Sequence, residues 1–373
     1  MRIGIDARAL TGRFTGDRTY WLCLLREYLS GPGEFEEHEY VLFTRLPIPR
    51  GDLPVSDRGT LRAVPAANDR VWTMVSFPRA LKQEGVDVAH TQYTTPLRSP
   101  CPLVTTVHDI SFRIYPEWFP RKDRVLLNLT VPASMRRARR VITDAESSRR
   151  DILRIYRLPP EKIATIHLAA GSEYHPMPQR TARAAVNARF GIDRPYVISV
   201  GVLQPRKNFA LLLEAFARVR RAVPVPHRLV LTGKRGWAYG ELARLATRLG
   251  ISDALIYTDY VADADLPMLY SAADAMAFPS LYEGFGLPPL EAMACGTATL
   301  VSDAPAMPEV ADAGAWVLPV MDATAWAEAL GVAMTNEKAR ITWGERGRQR
   351  AAQFSWRRTA AQTLAVYHEA LGS

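Results

Sequence analysis

The stretch Ala275-Met-Ala-Phe278-Pro-Ser-Leu-Tyr-Glu283-Gly284-Phe285-Gly286-Leu287-Pro-Pro-Leu-Glu291 joins a short apolar segment to a helical one through a glycine-bearing loop. The apolar run predicts a strand that ends near Phe278. A proline at 288 or 289 fits the first turn of a helix, and Gly296 lies where a helix C-cap is expected. The order strand, tight loop, helix is typical of a parallel α/β sheet.

The same alternation runs along the chain. Apolar runs predict strands at residues 2–6, 40–44, 86–90, 103–107, 141–143 and 163–168, and then at 196–200, 228–232, 254–258, 275–278, 298–301 and 316–318. Helical spacing predicts helices at residues 20–30, 147–156, 209–221, 239–249 and 323–334. Two such sets predict two doubly wound, Rossmann-like domains, residues 1–175 and 176–354, that face a cleft. Prolines and a weak helical pattern place the boundary in residues 173–195.

Composition narrows the function classes. The 373 residues carry a formal net charge of +9, and residues 1–170 hold 26 basic against 19 acidic side chains. That excess either serves solubility or attracts an anionic partner such as a membrane surface. Three widely spaced cysteines, with no CxxC motif, argue against a zinc site and against a disulfide framework. The motifs GxxxxGK[ST], GxGxxG, GxSxG and HExxH are missing from the sequence, which argues against the common ATPases, dehydrogenases, hydrolases and metalloproteases.

A charged N-terminus and the lack of an apolar run of ~20 residues predict a cytoplasmic protein, peripheral at most on the inner face of a membrane. No combination of aromatic and basic residues typical of nucleic-acid recognition is found, so no nucleic-acid partner is expected. The basic residues 136–140 are either a solvated face or a membrane contact.

In the second half, the clearest candidate binding residues follow the ends of predicted strands. Glu283 and Glu291 bracket a loop whose glycines allow a close approach to an anion at a helix N-terminus. A single glutamate there would merely favour the helix dipole, whereas this pair suits the hydroxyls of a sugar and a ribose beside a diphosphate. Arg206 and Lys207 follow another strand and precede Asn208, a predicted N-cap. They are either a solvated pair or a phosphate clamp.

The first half contains two candidate ligand-binding segments. His108-Asp109 follows the strand at 103–107, so the pair either projects into the cleft or merely turns the chain. The loop at residues 11–19 contains Gly12 and Gly16 with two arginines, and it is either a surface loop or a cradle for an anionic ligand.

These segments resemble the retaining glycosyltransferases of family four, which have the GT-B fold. Residues 278–296 look like the family's signature of two glutamates with seven residues between them, and residues 201–208 look like its GxLxPRKN loop. Further similarities are found at residues 107–109, 259–261, 307–310 and 354–356. The resemblance implies a C-terminal helix, residues 355–373, that crosses back to the first domain. Two elements differ from the family pattern, namely the longer loop from Gly12 to Gly16 and residues 168–172, which replace a frequent NGVD.

The resemblance also implies roles for single residues. Arg206 and Lys207 would bind the donor diphosphate, Glu283 the transferred sugar and Glu291 the ribose hydroxyls. His108 would lie near the reacting sugar, and Gly12, Gly16 and Asp109 would belong to the acceptor side. The remaining donor-binding residues implied are Gly201, Tyr260, Val261, Gly284, Phe285, Gly286 and Leu287.

The function expected from this resemblance is transfer of a sugar, with GDP-mannose as the first candidate donor, to an acceptor hydroxyl with retention of anomeric configuration. A nucleotide sugar and a glycan or lipid-linked acceptor are the expected partners, and polysaccharide or glycolipid synthesis is the expected process. No metal or other cofactor is expected, because Arg206 and Lys207 supply positive charge. The alternatives are a GT-B sugar-nucleotide epimerase or phosphorylase, or a two-lobed binding protein for an anionic ligand.

Overall fold

The computed structural model describes residues 1–12, 16–48, 53–236 and 239–372. The chain divides into two compact units, one made of Met1–Leu168 with Ser355–Ser373 and the other of Ala169–Phe354. The domain boundary predicted from the sequence lies after residue 175. The difference arises because Tyr174 is buried and its ring lies 6.1 Å from that of Tyr270, in the second unit.

Among the described residues, the first unit forms a seven-stranded sheet in the order β3-β2-β1-β4-β5-β6-β7, with parallel pairing between all neighbours. Its strands are β1 (Arg2–Asp6), β2 (Glu39–Thr44), β3 (Gly59–Ala63), β4 (Val88–Gln92), β5 (Leu103–Thr106), β6 (Arg140–Thr143) and β7 (Ile163–Thr165). Its helices up to residue 168 are α1 (Gly16–Ser30), α2 (Asp69–Val71), α3 (Phe77–Gln83), α4 (Ser111–Ile114), α5 (Arg121–Arg137) and α6 (Glu146–Tyr156). Strands β1, β2, β4, β5 and β6 are almost wholly buried, as expected of a parallel sheet covered on both faces.

The described part of the second unit forms a six-stranded parallel sheet in the order β10-β9-β8-β11-β12-β13. Its strands are β8 (Tyr196–Val200), β9 (Arg228–Thr232), β10 (Leu255–Asp259), β11 (Ala275–Phe278), β12 (Thr299–Ser302) and β13 (Trp316–Leu318). Its helices are α7 (Gln179–Phe190), α8 (Phe209–Ala222), α9 (Tyr239–Leu249), α10 (Leu266–Ala272), α11 (Leu287–Ala294), α12 (Met307–Ala311), α13 (Ala323–Thr335) and α14 (Glu337–Ala351). The two doubly wound sheets confirm the predicted fold class.

The last helix, α15 (Trp356–Gly372), packs in the first unit, as the resemblance implied. Tyr367 on α15 is completely buried, and its hydroxyl lies 2.6 Å from Nδ1 of His90 in β4. Thr359 donates a 2.6 Å hydrogen bond to the carbonyl of His167. These contacts fix the end of the chain to the sheet of the first unit.

Three local predictions were wrong. Residues 173–195 contain α7, whose buried positions Ala182 and Val186 are small and give only a weak periodic signal. Helix α6 begins at Glu146 with Ala145 as N-cap, so the predicted start at residue 147 is one residue late. Asn208 adopts a left-handed backbone conformation, with φ +52°, and its side chain donates to the carbonyl of Val320 instead of capping α8.

Candidate active site

Sheet order decides which loops of the second unit meet. The chain leaves β8 towards β9 on one side and later returns to β11 on the other, so the carboxyl ends of β8 and β11 flank the point where the strand order reverses. Open α/β sheets bind ligands in the crevice at such a point. The loop with Arg206 and Lys207 follows β8, and the loop with Glu283 follows β11. The fold therefore brings together the two segments that the sequence singled out.

These loops meet in a buried group of three charges. Nζ of Lys207 lies 2.6 Å from Oε1 of Glu283, and a guanidinium nitrogen of Arg206 lies 3.1 Å from Oε2. Lys207 and Glu283 are less than a tenth exposed. The backbone joins the loops as well, since Leu281 N donates a 2.8 Å hydrogen bond to Arg206 O. One carboxylate thus holds two cations at the switch point.

Burial alone would raise the pKa of Glu283, but the charges of Arg206 and Lys207 more than compensate and hold it below its usual value. Glu283 is therefore ionised, and the group carries a net charge of about one positive unit. The ammonium group of Lys207 also lies 4.5 Å from the centre of the Phe278 ring. A buried site with excess positive charge is suited to an anion such as a diphosphate.

Two glycines let the backbone come close at this edge. A Cβ on Gly201 would lie 3.1 Å from Cε of Lys207, and one on Gly286, where φ is +107°, would lie 2.3 Å from Cε of Met307. Gly284 and Phe285 are buried, and Leu287 is the first residue of α11. Because Pro288 and Pro289 have no backbone N–H and the N–H of Leu290 donates to the carbonyl of Gly286, the first turn of that helix adds the single amide of Leu287 to the positive character of the loop.

Glu291 lies in the second turn of α11, where its Oε2 accepts a 3.1 Å hydrogen bond from the Tyr270 hydroxyl. Burial raises the pKa of Glu291 to about 8, and the negative charges of Asp263 and Glu173 act in the same direction. The two glutamates of the signature are therefore in opposite states, with Glu283 ionised and Glu291 largely protonated at neutral pH.

The segment after β10 borders the same edge of the sheet. Asp259 has a φ of +56° and accepts two hydrogen bonds, of 2.6 and 3.0 Å, from Arg235. Tyr260 is partly exposed and Val261 is buried. The sequence contains one Asp-x-Asp triplet, Asp263 and Asp265, but Asp265 is buried and pairs with Arg189 at 2.6 Å. Within the described residues, no group of three or more His, Cys, Asp or Glu is arranged to hold a metal ion.

In the first unit, His108 follows β5 and is enclosed by groups from neighbouring strand ends. Its Nδ1 lies 2.6 Å from Oδ2 of Asp144, and its Nε2 lies 3.6 Å from Oδ1 of Asp17. The amide of Gln92 lies 3.1 Å from Nε2, and rotation of that amide lets it serve either a neutral or a protonated ring. The ring of Tyr20 meets that of His108 edge-on at 5.1 Å.

Burial lowers the pKa of His108, but the charge and hydrogen bond of Asp144, with Asp17 and Asp109 adding to them, raise it to about 9. His108 is therefore a cation at neutral pH, with Nδ1–H directed to Asp144. Such a group donates hydrogen bonds and stabilises negative charge. It is not a general base until it loses its proton.

The other acceptor-side candidates are Asp109, Gly12 and Gly16, and their observed contacts are with residues close to them in the chain. Oδ1 of Asp109 accepts hydrogen bonds from the amide and the hydroxyl of Ser111, at 2.7 and 2.5 Å, which caps the short helix α4. Gly12 follows a 3-10 turn and Gly16 begins α1. Residues 13–15 between them lie outside the described residues. A role in acceptor binding stays a prediction for all three.

Sequence reasoning missed Asp144, Asp17 and Gln92, which surround His108, and Tyr270, which holds Glu291. Asp144 directly follows β6, so the rule that chemistry lies at strand ends would have found it. Tyr270 carries no such signal, because it lies within α10 and comes to Glu291 only through helix packing.

Comparison with known proteins gives the family. Residues 28–170 match the family described as Glycosyltransferase Family 4, and residues 185–350 match Glycosyl transferases group 1. The chain is 34% identical to O-antigen chain mannosyltransferase B of Escherichia coli over 71% of its own length and 69% of that protein. The chain belongs to the family four glycosyltransferases. It is thus a glycosyltransferase.

Other relatives match over smaller parts. The serotype-specific mannosyltransferase WbdA of Escherichia coli is 29% identical, and the chain spans 28% of its length. An MMP alpha-(1->4)-mannosyltransferase of Mycolicibacterium hassiacum is 32% identical over 62% of this chain and 54% of that protein.

Solved structures confirm the GT-B fold. Sucrose-phosphate synthase of Thermosynechococcus elongatus superposes with a TM-score of 0.77 at 20% identity, covering 99% of this chain and 98% of that one. HepE of Anabaena, in complex with UDP and glucose, gives 0.74 at 18% identity and covers 99% and 100% of the two chains. None of the helices in the described part of this glycosyltransferase is long and apolar enough to cross a membrane.

Proposed function

We propose that the protein transfers a sugar from a nucleoside diphosphate to an acceptor hydroxyl with retention of anomeric configuration. The buried group of Arg206, Lys207 and Glu283 carries this proposal, because it offers two cations to a diphosphate and a carboxylate to a sugar at one switch point. GDP-mannose is the first donor to test, since relatives at up to 34% identity are named mannosyltransferases.

The mechanism we propose needs no covalent protein intermediate. Arg206, Lys207 and the amide of Leu287 at the start of α11 stabilise the negative charge that grows on the leaving diphosphate as the glycosidic bond breaks. The acceptor hydroxyl attacks on the face of the leaving group and gives its proton to the departing phosphate oxygen. Glu283 orients the sugar through its hydroxyls, and protonated His108 supports a hydroxyl or phosphate oxygen near the reacting sugar.

The acceptor we propose is a glycan or a lipid-linked sugar, as in polysaccharide or glycolipid synthesis. This proposal is supported by the relative from Escherichia coli that is named O-antigen chain mannosyltransferase B. We place the reaction in the cytoplasm, with the protein held peripherally on the anionic inner face of the membrane. The basic excess in residues 1–170 favours that arrangement.

A panel of nucleotide sugars tests the proposal. The purified protein is incubated with GDP-mannose, UDP-glucose or ADP-glucose, with and without an extract containing glycolipid acceptors, and nucleoside diphosphate release is measured. We expect release that depends on the acceptor for one donor, and a product whose anomeric proton signal matches the donor's configuration. Release without an acceptor, or an inverted product, would contradict it.

The same assay tests independence of divalent metal. Because Arg206 and Lys207 supply the positive charge at the diphosphate, we expect a chelator to leave the rate unchanged. Loss of activity with chelator and recovery with magnesium or manganese would contradict this part of the proposal.

A further inference from the structure

Helix α5 of the first unit exposes three large apolar side chains. Val125, Leu126 and Leu129 are 55%, 37% and 69% exposed. At about 100° per residue, these side chains share one arc of the helix with Arg121 and Lys122 of its first turn. We call these five residues the outer face of α5.

The opposite side of the helix is already used for packing. Val131 and Met135 are completely buried in a cluster that also contacts Leu127. A helix with one apolar stripe against the core normally turns charged and polar residues outward. The outer face of α5 is therefore an apolar surface that folding of the described unit does not explain.

The charges on the outer face are also unfavourable to the helix itself. Arg121 and Lys122 occupy the first turn, where the helix dipole disfavours cations. Among the described residues, neither side chain lies in an ion pair. One acid, Asp123, stands in the same turn, but it points more than a quarter-turn away from the centre of the outer face. Two unpaired cations beside exposed leucines are complementary to an anionic and apolar partner.

The segment before α5 fits the same partner. Tyr115 and Trp118 stack with ring centres 4.1 Å apart, and both are half-buried. Tyrosine and tryptophan rings are favoured at the boundary between lipid tails and water. Basic residues, interfacial aromatics and apolar side chains together characterise segments that lie in the plane of a membrane surface.

We propose that the outer face of α5 docks on an anionic lipid bilayer. The inference rests on the peripheral membrane location in the proposed function and gives that location a site. Helix α5 starts downstream of β5 and α4, on the same edge of the sheet as His108, and runs back to β6 at the opposite edge. Docking through its first half would bring a lipid-linked acceptor to the edge that carries His108.

The other end of the helix provides an internal comparison. The basic residues 136–140, which the sequence suggested as a membrane contact, lie at the amino ends of the strands and line a groove of about 820 Å³. Arg140 pairs there with Glu369 of α15 at 2.5 Å, and Lys162 donates to the carbonyl of Arg136. The side chain of Arg140 and the carbonyl of Arg136 thus serve the fold of the unit. We expect the two ends of α5 to differ in lipid binding, because the large apolar side chains that α5 exposes all lie in its first half.

Vesicle flotation tests the proposal with the full chain. Vesicles of phosphatidylcholine alone are compared with vesicles that also contain phosphatidylglycerol, at low and at high salt. We expect binding to the anionic vesicles alone, and weaker binding at high salt. Arg121→Ala with Lys122→Ala should weaken binding by about thirtyfold, since each basic residue near such a surface contributes roughly a factor of five. Val125→Ser with Leu129→Ser should weaken it by about tenfold or more.

Matched variants serve as controls. Arg136→Ala with Arg139→Ala removes the same charge from the other end of α5, and Ile341→Ser removes an apolar side chain of similar exposure, 65%, from the second unit. Both should bind vesicles nearly as the unchanged protein does. Equal binding to neutral and anionic vesicles, no binding at all, or equal losses in the control variants would overturn the proposal. Acceptor-dependent nucleoside diphosphate release, measured with a detergent-solubilised acceptor extract and no vesicles, should be the same in all variants, so a failure of docking is distinguishable from a failure of the transferase function.

Discussion

Glu283 forms ion pairs with Arg206 and Lys207, the two cations that we assign to the donor diphosphate. Its carboxylate lies 2.6 Å from Nζ of Lys207 and 3.1 Å from a guanidinium nitrogen of Arg206. A diphosphate that binds there must therefore compete with this carboxylate for both cations. In the proposed function, cations that turn to the phosphates would release the carboxylate towards the sugar. Donor binding and the availability of Glu283 for the sugar would then be coupled.

Glu283→Gln should therefore bind a nucleoside diphosphate more tightly than the unchanged protein does, by about tenfold, while most transfer is lost. The neutral amide holds the buried cations less strongly, and charge-assisted hydrogen bonds of this kind contribute roughly 1.5–3 kcal/mol. Titration calorimetry with GDP and UDP measures this affinity. Lys207→Met is the comparison variant and should bind more weakly. If Glu283→Gln also binds more weakly, the carboxylate holds the clamp in shape and does not compete with the ligand.

Asp144 sets the charge of His108. Without that carboxylate, the lowering effect of burial is opposed by the charges of Asp17 and Asp109 alone, so Asp144→Asn should bring the pKa of His108 well below 9. The raised pKa stabilises the fold fully below pH 6.5, and this contribution disappears as the pH rises through 9. Asp144→Asn should lack that loss at alkaline pH. Proton NMR titration, with the signal assigned from a His108→Asn variant, measures the pKa, and a His108 signal that still titrates near 9 would contradict the assignment.

At the scale of elements, a buried polar contact joins the last helix to a central strand of the sheet. His90 is completely buried and its pKa is lowered by burial to about 3, so the ring is neutral and needs a partner at each nitrogen. Thr106 lies 2.7 Å from Nε2, and the Tyr367 hydroxyl of α15 lies 2.6 Å from Nδ1. The end of the chain therefore completes the hydrogen bonds of a central strand.

Tyr367→Phe should destabilise the first unit by about 1–3 kcal/mol, because a buried ring nitrogen loses its partner while the packing volume stays nearly the same. Calorimetric unfolding would measure the change. Tyr257→Phe in the second unit is the comparison, since the Tyr257 hydroxyl makes no hydrogen bond among the described residues and its removal should cost little. Equal effects of the two variants would contradict the role given to Tyr367.

The strands also show which secondary-structure elements can be predicted from the sequence. Strands such as β1, β8 and β11 were predicted with their observed bounds, because a strand covered on both faces is a continuous apolar run. Strand β3 was missed because it lies at the sheet edge and is largely exposed, so its residues follow no apolar pattern.

Local conformation was harder to predict than location. Asn208 was expected to cap α8, but tertiary contacts give its side chain a partner more than a hundred residues away, at Val320. In the same way, the sequence predicted that Arg206, Lys207 and Glu283 belong to one site. It gave no sign that the three already bind one another.

At the scale of the whole molecule, the donor-side and acceptor-side candidates fall in different units. Gly201, Arg206, Lys207 and both signature glutamates belong to the unit Ala169–Phe354, whereas His108 and the groups around it belong to the other. The basic excess and the outer face of α5 lie in the first unit as well. With the roles proposed above, the division of the chain would separate nucleotide recognition from acceptor and membrane recognition.

A nucleoside diphosphate should therefore protect one unit from amide hydrogen exchange far more than the other. At a ligand concentration of about one hundred times Kd, binding stabilises the bound unit by roughly 2.7 kcal/mol, which slows exchange of its most protected amides by about a hundredfold. Mass-spectrometric exchange with and without GDP should show this slowing in peptides from residues 195–210 and 275–295, next to the clamp. Peptides from β4, β5 and α15 should change little. Arg206→Ala with Lys207→Ala, measured at the same GDP concentration, should abolish the protection. Comparable protection of the His108 region would mean that the nucleotide alone engages both units, and the assignment of donor binding to residues 169–354 would then be wrong.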